Sequence, residues 1–217
     1  MRRSARLQQQ WALYDERQFD RACEETLAIL DTLQAADLQD GQRLLGKCAY
    51  LQRRDQDALQ RLRKACQGSD DSSDWLGVAL AAVRAGEAEL GAQAFEQVRL
   101  CQRAAKYAQW PGIHLQVYWY ALVLCDAQQW SPLQPLLEEL KGVYKRLYCT
   151  DAAYVYRLGM PLLASALELA VRYFKAHGGR AAGAAWLKDL ASGVDAEGGQ
   201  AAERAIGELG EAAGSRG

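Results

Sequence analysis

Apolar residues recur at intervals of three and four along almost the whole 217-residue chain. This spacing places them on one face of an α-helix, and the alternating β-branched runs that indicate strands are absent. The sequence therefore predicts an all-α protein. Because no heptad pattern persists for several turns, paired helices are favoured over one long coiled coil. The predicted helices cover residues 5–16, 19–35, 40–53, 55–67, 73–85, 88–109, 113–128, 132–148, 151–176, 181–192 and 199–213.

Capping residues and prolines set several of these boundaries. Ser73 or Asp74 is expected to cap the helix over 73–85, because either side chain can accept a hydrogen bond from a free amide of the first turn. Pro132 follows a serine and is expected at the first position of its helix. Pro161 lies inside the apolar pattern of 151–176, and we expect it to kink or divide that helix near Gly159.

Composition and charge exclude several classes of protein. Half of the residues are hydrophobic and 24% are charged, which argues against wholesale disorder. The apolar runs are too short for a membrane span, and the first ten residues lack the apolar run of a secretory signal. We therefore expect a cytoplasmic protein. Twenty-six basic against 27 acidic residues give a net charge of -1, which argues against a nucleic-acid footprint over the whole protein.

The cysteines and histidines suggest no metal or cofactor. Neither His114 nor His177 has a carboxylate or cysteine nearby at ligand spacing. The cysteines are 18 to 35 residues apart without a C-x-x-C pair, which favours small buried side chains in a reducing compartment, with a disulfide framework as the minor alternative. These cysteines are Cys23, Cys48, Cys66, Cys101, Cys125 and Cys149.

Catalytic motifs are equally lacking. The sequence has no glycine-rich phosphate loop, no G-x-S-x-G and no H-E-x-x-H. Adjacent carboxylates such as Glu138 and Glu139 point apart on a helix, which suits solvation better than acid–base work. We therefore expect no catalytic residue and no enzymatic activity.

An internal repeat appears when helix pairs are aligned on a small residue in the first helix and a second position twelve residues later. The clearest copy has Trp75, Val78, Ala79, Ala82, Gly91, Phe95 and Val98. A second copy has Leu45, Gly46, Ala49, Ala58, Leu62 and Ala65. The third has Val117, Tyr120, Ala121, Leu124, Leu133, Leu137 and Leu140, and a degenerate copy before them has Phe19, Ala22 and Ile29. Small residues at these positions let two helices approach closely.

In these positions the sequence resembles the tetratricopeptide repeat (TPR) over about residues 10–148. The resemblance implies a solenoid of about four antiparallel helix pairs over 1–148, capped by a helical extension over 149–192. The Gly-, Ala- and Glu-rich tail over 193–217 is expected to be weakly ordered. A globular α-helical bundle is the alternative fold.

The resemblance also implies a function. In the family, the first helix of each pair lines a concave groove that holds a peptide or helix of another protein, so the chain would be a non-enzymatic adaptor, scaffold or chaperone-like binder. The groove would be lined by Arg43, Lys47, Tyr50, Leu80, Arg84, Tyr118, Trp119 and Asp126. For Tyr118 and Trp119 burial against 151–176 is the alternative, and for the three cations an ordinary solvated face.

Other functions stay open. Exposed tryptophans could be contacts in a permanent complex or in self-association, with Trp11, Trp110, Trp130 and Trp186 as the candidates. A small-ligand sensory domain is a further possibility. Nucleic-acid binding is disfavoured by the interspersed acids. It would use a basic stripe of Arg53, Arg54, Arg61, Lys64, Arg99, Arg103 and Lys106.

Overall fold

The computed structural model describes residues 3–107 and 109–210. Within these ranges all regular structure is helical and there is no strand, which confirms the predicted all-α class. The helices are α1 (Gln8–Asp15), α2 (Phe19–Ile29), α3 (Ala35–Leu51), α4 (Asp55–Ala65), α5 (Ser72–Arg84), α6 (Ala88–Ala104), α7 (Ile113–Asp126), α8 (Trp130–Leu147), α9 (Ala152–Arg157), α10 (Leu163–Tyr173), α11 (Arg180–Ala191) and α12 (Ala196–Gly210).

The chain forms two compact units that meet in sequence between Gln109 and Trp110. The predicted repeats extend past this point to residue 148. In the first unit, α1 packs on α2, α3 on α4 and α5 on α6, and the pairs are joined by contacts of α2 with α3 and of α4 with α5. The first helices of successive pairs also touch, α1 with α3 and α3 with α5.

The turns inside the four helix pairs α1/α2, α3/α4, α5/α6 and α7/α8 share one geometry. Each has three residues, and the middle one has a positive φ of 56° to 85°. The amide that follows it donates to a carbonyl five residues earlier, at 2.8 to 2.9 Å, which closes the first helix with a Schellman-type bond. The middle residues are Arg17, Arg53, Gly86 and Gln128. Five residues after each comes a buried position predicted at a helix crossing: Ala22, Ala58, Gly91 and Leu133.

Glycine permits the close approach of helices in two of these pairs. A Cβ added to Gly46 of α3 would lie 2.7 Å from Leu62 Cγ of α4. A Cβ added to Gly91 of α6 would lie 2.8 Å from Val83 Cγ2 of α5. Both distances are too short for real carbon contacts, so the crossings depend on the missing side chain.

The second unit builds on α7 and α8. Helix α10 packs on both of them, α11 packs on α8 and α12, and α12 also contacts α10. The expected break before Pro161 is present, because α9 ends at Arg157 and α10 begins at Leu163. Gly159 has a φ of +67°, and its backbone lies so close to Gly112 that an added Cβ would be 2.7 Å from the Gly112 amide nitrogen.

Several boundary predictions were wrong by part of a helix. Helix α5 is capped by Asp71, whose carboxylate accepts from the Ser73 amide, rather than by Ser73 or Asp74. Helix α8 begins at Trp130, so Pro132 is its third residue rather than its first. Helix α6 ends at Ala104, five residues before the predicted end, and the last residues of the helix predicted over 199–213 lie outside the described ranges.

The side chains of four cysteines and two tryptophans belong to the core. Cys23, Cys48, Cys66 and Cys125 are buried free thiols, as expected for small apolar side chains. Trp11 is 1% exposed and Trp186 is 8% exposed. The interpretation of these two tryptophans as subunit contacts is therefore wrong, whereas Trp110, 53% exposed, remains on the surface.

Candidate functional site

Arg43, a predicted groove cation, lies in a buried charge network of the first unit. Its Nε and Nη2 atoms donate to the two carboxylate oxygens of Asp74 at 2.6 and 2.8 Å, and its Nη1 atom donates to Asp40 at 2.8 Å. The other oxygen of Asp40 accepts from Trp11 Nε1 at 2.8 Å and from the Ser4 amide at 2.7 Å. Only 11% of the Arg43 side chain is exposed. Its hydrogen bonds are thus directed to α3 and α5 of its own chain.

Arg84 is likewise engaged within the first unit. Its Cζ atom lies 4.0 Å from the centre of the Tyr50 ring, and its Nη2 atom lies 2.6 Å from Asp55 Oδ1. Lys47 lies 6.0 Å from the Trp11 ring centre, and burial lowers the pKa of its ammonium group. Of the predicted residues, Tyr50 of α3 and Arg84 of α5 therefore contact each other. Arg43 and Lys47 instead contact residues that were not predicted to line the groove. Leu80 on α5 is half-buried.

The remaining predicted groove residues belong to the second unit. Asp126 pairs with Arg172 of α10 at 2.5 Å. Tyr118 of α7 is half-buried and shares a hydrogen bond with Ser165 of α10. Burial raises the pKa of the Tyr118 hydroxyl. Packing against the 151–176 region, the alternative for Tyr118, therefore has support. Trp119 is half-buried.

The predicted basic stripe is interrupted by acidic partners. Asp57 pairs with Arg54 at 2.5 Å and with Arg61 at 3.1 Å. Arg99 lies 3.7 Å from Glu96, and Arg53 occupies the positive-φ turn between α3 and α4. These pairs lower the positive charge that a nucleic-acid backbone would meet. The exposed cations of the stripe are Arg53, Arg54, Lys64, Arg103 and Lys106.

A surface groove of about 550 Å³ lies in the first unit and was not predicted. Helices α4 and α6 form its two sides. We call it the glutamine groove, because glutamine is the commonest lining residue. It is lined by Gln60, Arg63, Lys64, Cys66, Gln67, Trp75, Val78, Leu90, Gln93, Ala94 and Gln97.

Helical periodicity explains how these side chains converge. On the α4 side they lie at positions 60, 63, 64 and 67, and on the α6 side at 90, 93, 94 and 97. The α6 set follows the i, i+3, i+4, i+7 pattern of a single helix face, and the α4 set follows it up to Gln67, which lies just beyond the end of α4 at Ala65. Between them α5 supplies an apolar floor with Trp75 and Val78, and the Trp75 Nε1 atom donates to Ser69 O at 3.0 Å, which fixes its ring.

The polar rim of the glutamine groove has hydrogen-bonding capacity to spare. In the part of the chain that the structure describes, the side chains of its glutamines and of Arg63 and Lys64 form no hydrogen bond or ion pair, and all six are exposed. No Asp or Glu lines the groove, so its local charge is positive. Free amides can both donate to and accept from a peptide backbone, and the two cations can pair with carboxylates.

A second depression, of about 680 Å³, lies between α11 and α12 of the second unit. It mixes Glu203 with Lys188 and Arg204, and it has no aromatic side chain on its walls. It therefore offers neither a single sign of charge nor an apolar anchor point, and we regard the glutamine groove as the better candidate.

Comparisons with family models, with curated proteins and with solved structures found no match to this chain. Among residues 3–107 and 109–210, no group of three or more His, Cys, Asp or Glu side chains could hold a metal ion. None of the helices in these residues is long and apolar enough to cross a membrane.

Proposed function

We propose that this chain is a TPR-like helical repeat protein of the cytoplasm that binds an extended, acidic segment of another protein and has no catalytic role. The recurring three-residue turn supports the repeat interpretation, because the same left-handed position precedes the buried crossing residue by five in all four helix pairs. The buried free thiols favour a reducing compartment.

The glutamine groove carries the functional part of the proposal. An extended peptide has backbone hydrogen-bond donors and acceptors on both edges. The glutamine side-chain amides on the α4 and α6 sides of the groove would face these two edges. One apolar side chain of the peptide would rest on the floor formed by Trp75 and Val78. Arg63 and Lys64 would pair with its carboxylates, which selects an acidic segment over a basic one.

The proposed site differs from the groove implied by the resemblance, which uses the first helix of each pair. Arg43 and Arg84 already pair with Asp74 and Asp55, and a partner would have to break these contacts before it could use the guanidinium groups. Among the described residues, Arg63 and Lys64 of the glutamine groove have no ion pair that a partner would first have to break. The observation that decides between the two surfaces is therefore the free state of Arg63 and Lys64.

A second candidate function is that of a subunit in a permanent complex. Trp110 and Tyr156 of the second unit stack edge to face at 5.2 Å between ring centres, although more than half of each side chain is exposed. Exposed aromatic side chains of this kind are typical of protein interfaces. Tyr154, Leu158 and Leu162 add exposed apolar surface in the neighbouring sequence.

Fluorescence anisotropy on the full-length protein tests the groove. The probe is a short labelled peptide rich in Glu with one central Phe, compared with a peptide in which every Glu is Lys. We expect Arg63→Ala combined with Lys64→Ala to weaken binding of the acidic probe by about tenfold, which corresponds to about 1.4 kcal/mol. Gln60→Ala combined with Gln93→Ala should weaken it as well.

Arg103→Ala combined with Lys106→Ala is the matched control, since it removes the same charge from outside the groove. Equal weakening by the control would mean that binding is non-specific attraction. Failure of the wild type to bind the acidic probe, or equal affinity for the basic one, would overturn the proposal. The complex alternative predicts that Trp110→Ala, and not the groove variant, releases a co-purified subunit.

A further inference from the structure

Two of the six free cysteines form a pair between α2 and α3. The thiols of Cys23 on α2 and Cys48 on α3 share a hydrogen bond, in which Cys48 donates to the Cys23 sulfur. Both side chains belong to the apolar core around Leu45 and Trp11. Cys48 is fully buried, whereas Cys23 is 8% exposed and lies at the edge of this core. Of the two residues, Cys23 is therefore the one nearer to solvent.

A guanidinium group stands beside the outer sulfur. Arg54 Nη2 lies 3.8 Å from Cys23 Sγ, and Arg54 is itself anchored by Asp57 at 2.5 Å and by Gln52 at 2.7 Å. A neighbouring cation favours the thiolate form of a cysteine. Asp20 is the acidic group that opposes this effect.

The acidities of the cysteines follow from these surroundings. The hydrogen bond from Cys48, together with the charge of Arg54, lowers the pKa of Cys23 to about 7. The same hydrogen bond and burial raise the pKa of Cys48. Burial raises the pKa of Cys66, Cys101 and Cys125. The thiolate is the nucleophilic form of cysteine, so Cys23 is the reactive member of this set near neutral pH.

We propose that Cys23 and Cys48 form an oxidant-sensitive site, in which a hydroperoxide converts the two thiols into a disulfide that joins α2 to α3. Cys23 is the attacking sulfur because it is the more exposed and lies beside Arg54. Cys48 is the resolving sulfur because it is already in hydrogen-bond contact with Cys23. Neither Cys23 nor Cys48 lines the glutamine groove.

The reaction balances with the peroxide as the only oxidant. The Cys23 thiolate attacks one peroxide oxygen, the O–O bond breaks, and the released alkoxide or hydroxide takes up the proton that Cys23 had given to solvent. Cys23 is then a sulfenic acid. The Cys48 sulfur attacks it, the S–S bond forms as the S–O bond breaks, and the departing hydroxide leaves as water with the Cys48 proton. Two electrons from two sulfurs have reduced one peroxide.

Peptide mapping of the full-length wild type after exposure to hydrogen peroxide tests the site without any variant. Remaining thiols are blocked with N-ethylmaleimide under denaturing conditions before digestion. We expect a cross-linked peptide pair containing Cys23 and Cys48, lighter by two hydrogen atoms and separated by dithiothreitol. Oxidation of Cys101 or Cys149, the two partly exposed cysteines, ahead of this pair would overturn the proposal.

Three variants separate the roles of the two sulfurs. Cys23→Ser should slow peroxide consumption by about tenfold, because the nucleophile is lost. Cys48→Ser should still react but should accumulate a sulfenic acid at Cys23 that dimedone traps. Cys66→Ser, another buried cysteine of the first unit, is the matched control and should form the Cys23–Cys48 disulfide at the wild-type rate. Dimedone trapping at Cys23 in the wild type, with no disulfide, would remove Cys48 from the mechanism.

Discussion

Arg43 donates two parallel hydrogen bonds to Asp74, from Nε to Oδ1 at 2.6 Å and from Nη2 to Oδ2 at 2.8 Å. The two residues lie 31 positions apart, on α3 and α5, and both side chains are almost fully buried. Ser69 adds a third hydrogen bond to the same carboxylate at 2.8 Å. A buried carboxylate held in this way depends on its cation, because burial removes most of the solvation of both charges.

Arg43→Ala should lower the free energy of unfolding by about 3 to 5 kcal/mol, since it leaves Asp74 and Asp40 as uncompensated buried charges. Urea denaturation followed by circular dichroism measures the change. Arg103→Ala, which changes an exposed arginine of the same unit, should alter the free energy of unfolding by no more than about 0.5 kcal/mol. Equal effects of the two variants would show that the Arg43 network contributes nothing specific.

The left-handed turns predict opposite effects for two substitutions. Arg53 has a φ of +61° and Gly86 a φ of +85° at equivalent positions of successive turns. Gly86→Ala should destabilise the protein by about 1 kcal/mol, because a Cβ is unfavourable in this conformation. Arg53→Gly should leave the stability unchanged or raise it by about 0.5 kcal/mol. Glycine relieves the strain of a positive φ, but its greater flexibility in the unfolded chain offsets part of that gain. Thermal unfolding of the two variants checks the signs, and a loss of stability in both would contradict the equivalence of the turns.

The fold could be predicted from the sequence to a large extent because helical periodicity is a local signal. The pairing of α3 with α4 and of α5 with α6 followed from Gly46 and Gly91, whose missing side chains the structure explains. The helix break before Pro161 followed from backbone chemistry alone. What the periodicity could not give was the partner of each polar side chain, which depends on contacts between distant helices.

The site shows this limit clearly. Asp74 looks like a helix cap in the sequence, yet it accepts the hydrogen bonds of Arg43, and Asp71 caps the helix instead. The glutamine groove did leave a signal, since the polar residues Gln60 and Gln67 are followed 33 and 30 residues later by Gln93 and Gln97. Polar stripes are usually solvated faces, and only the structure places the two opposite each other.

Two glycines of the first unit test the importance of close helix packing. Gly91→Ala should lower the free energy of unfolding by about 1 to 3 kcal/mol. The new Cβ would lie 2.8 Å from Val83 Cγ2 and 3.3 Å from the Ala79 carbonyl oxygen. Gly77→Ala is the matched control on α5: its Cβ would make ordinary contacts with Leu62 at 3.5 and 3.6 Å. Gly77→Ala should raise the free energy of unfolding by up to about 1 kcal/mol, because alanine has a higher helix propensity than glycine. If both variants raised the free energy of unfolding in urea, α5 and α6 would be less closely packed at Gly91 than these distances indicate.

Asp195 connects the start of α12 to the segment before α9. One of its carboxylate oxygens accepts from the Thr150 amide at 2.7 Å, and the other accepts from the Thr150 hydroxyl at 2.5 Å and from the Gly198 amide at 2.9 Å. The Thr150 hydrogen bond is the main reason that the pKa of Asp195 lies below its usual value of 3.8. Asp195→Ala should therefore cost about 1 to 2 kcal/mol near neutral pH, as the loss of a helix cap does.

The same carboxylate predicts a pH dependence with a definite sign. Because the pKa of Asp195 is lower in the folded state, the unfolded chain binds more protons between the two pKa values, and stability rises with pH there. The contribution of Asp195 is complete above its unfolded pKa of 3.8 and is lost as the pH falls through the folded one. The difference in unfolding free energy between wild type and Asp195→Ala should therefore shrink from about pH 5 downward. A difference that stays constant down to the lowest pH at which the protein folds would mean that the ionised carboxylate is not what holds Thr150 and Gly198.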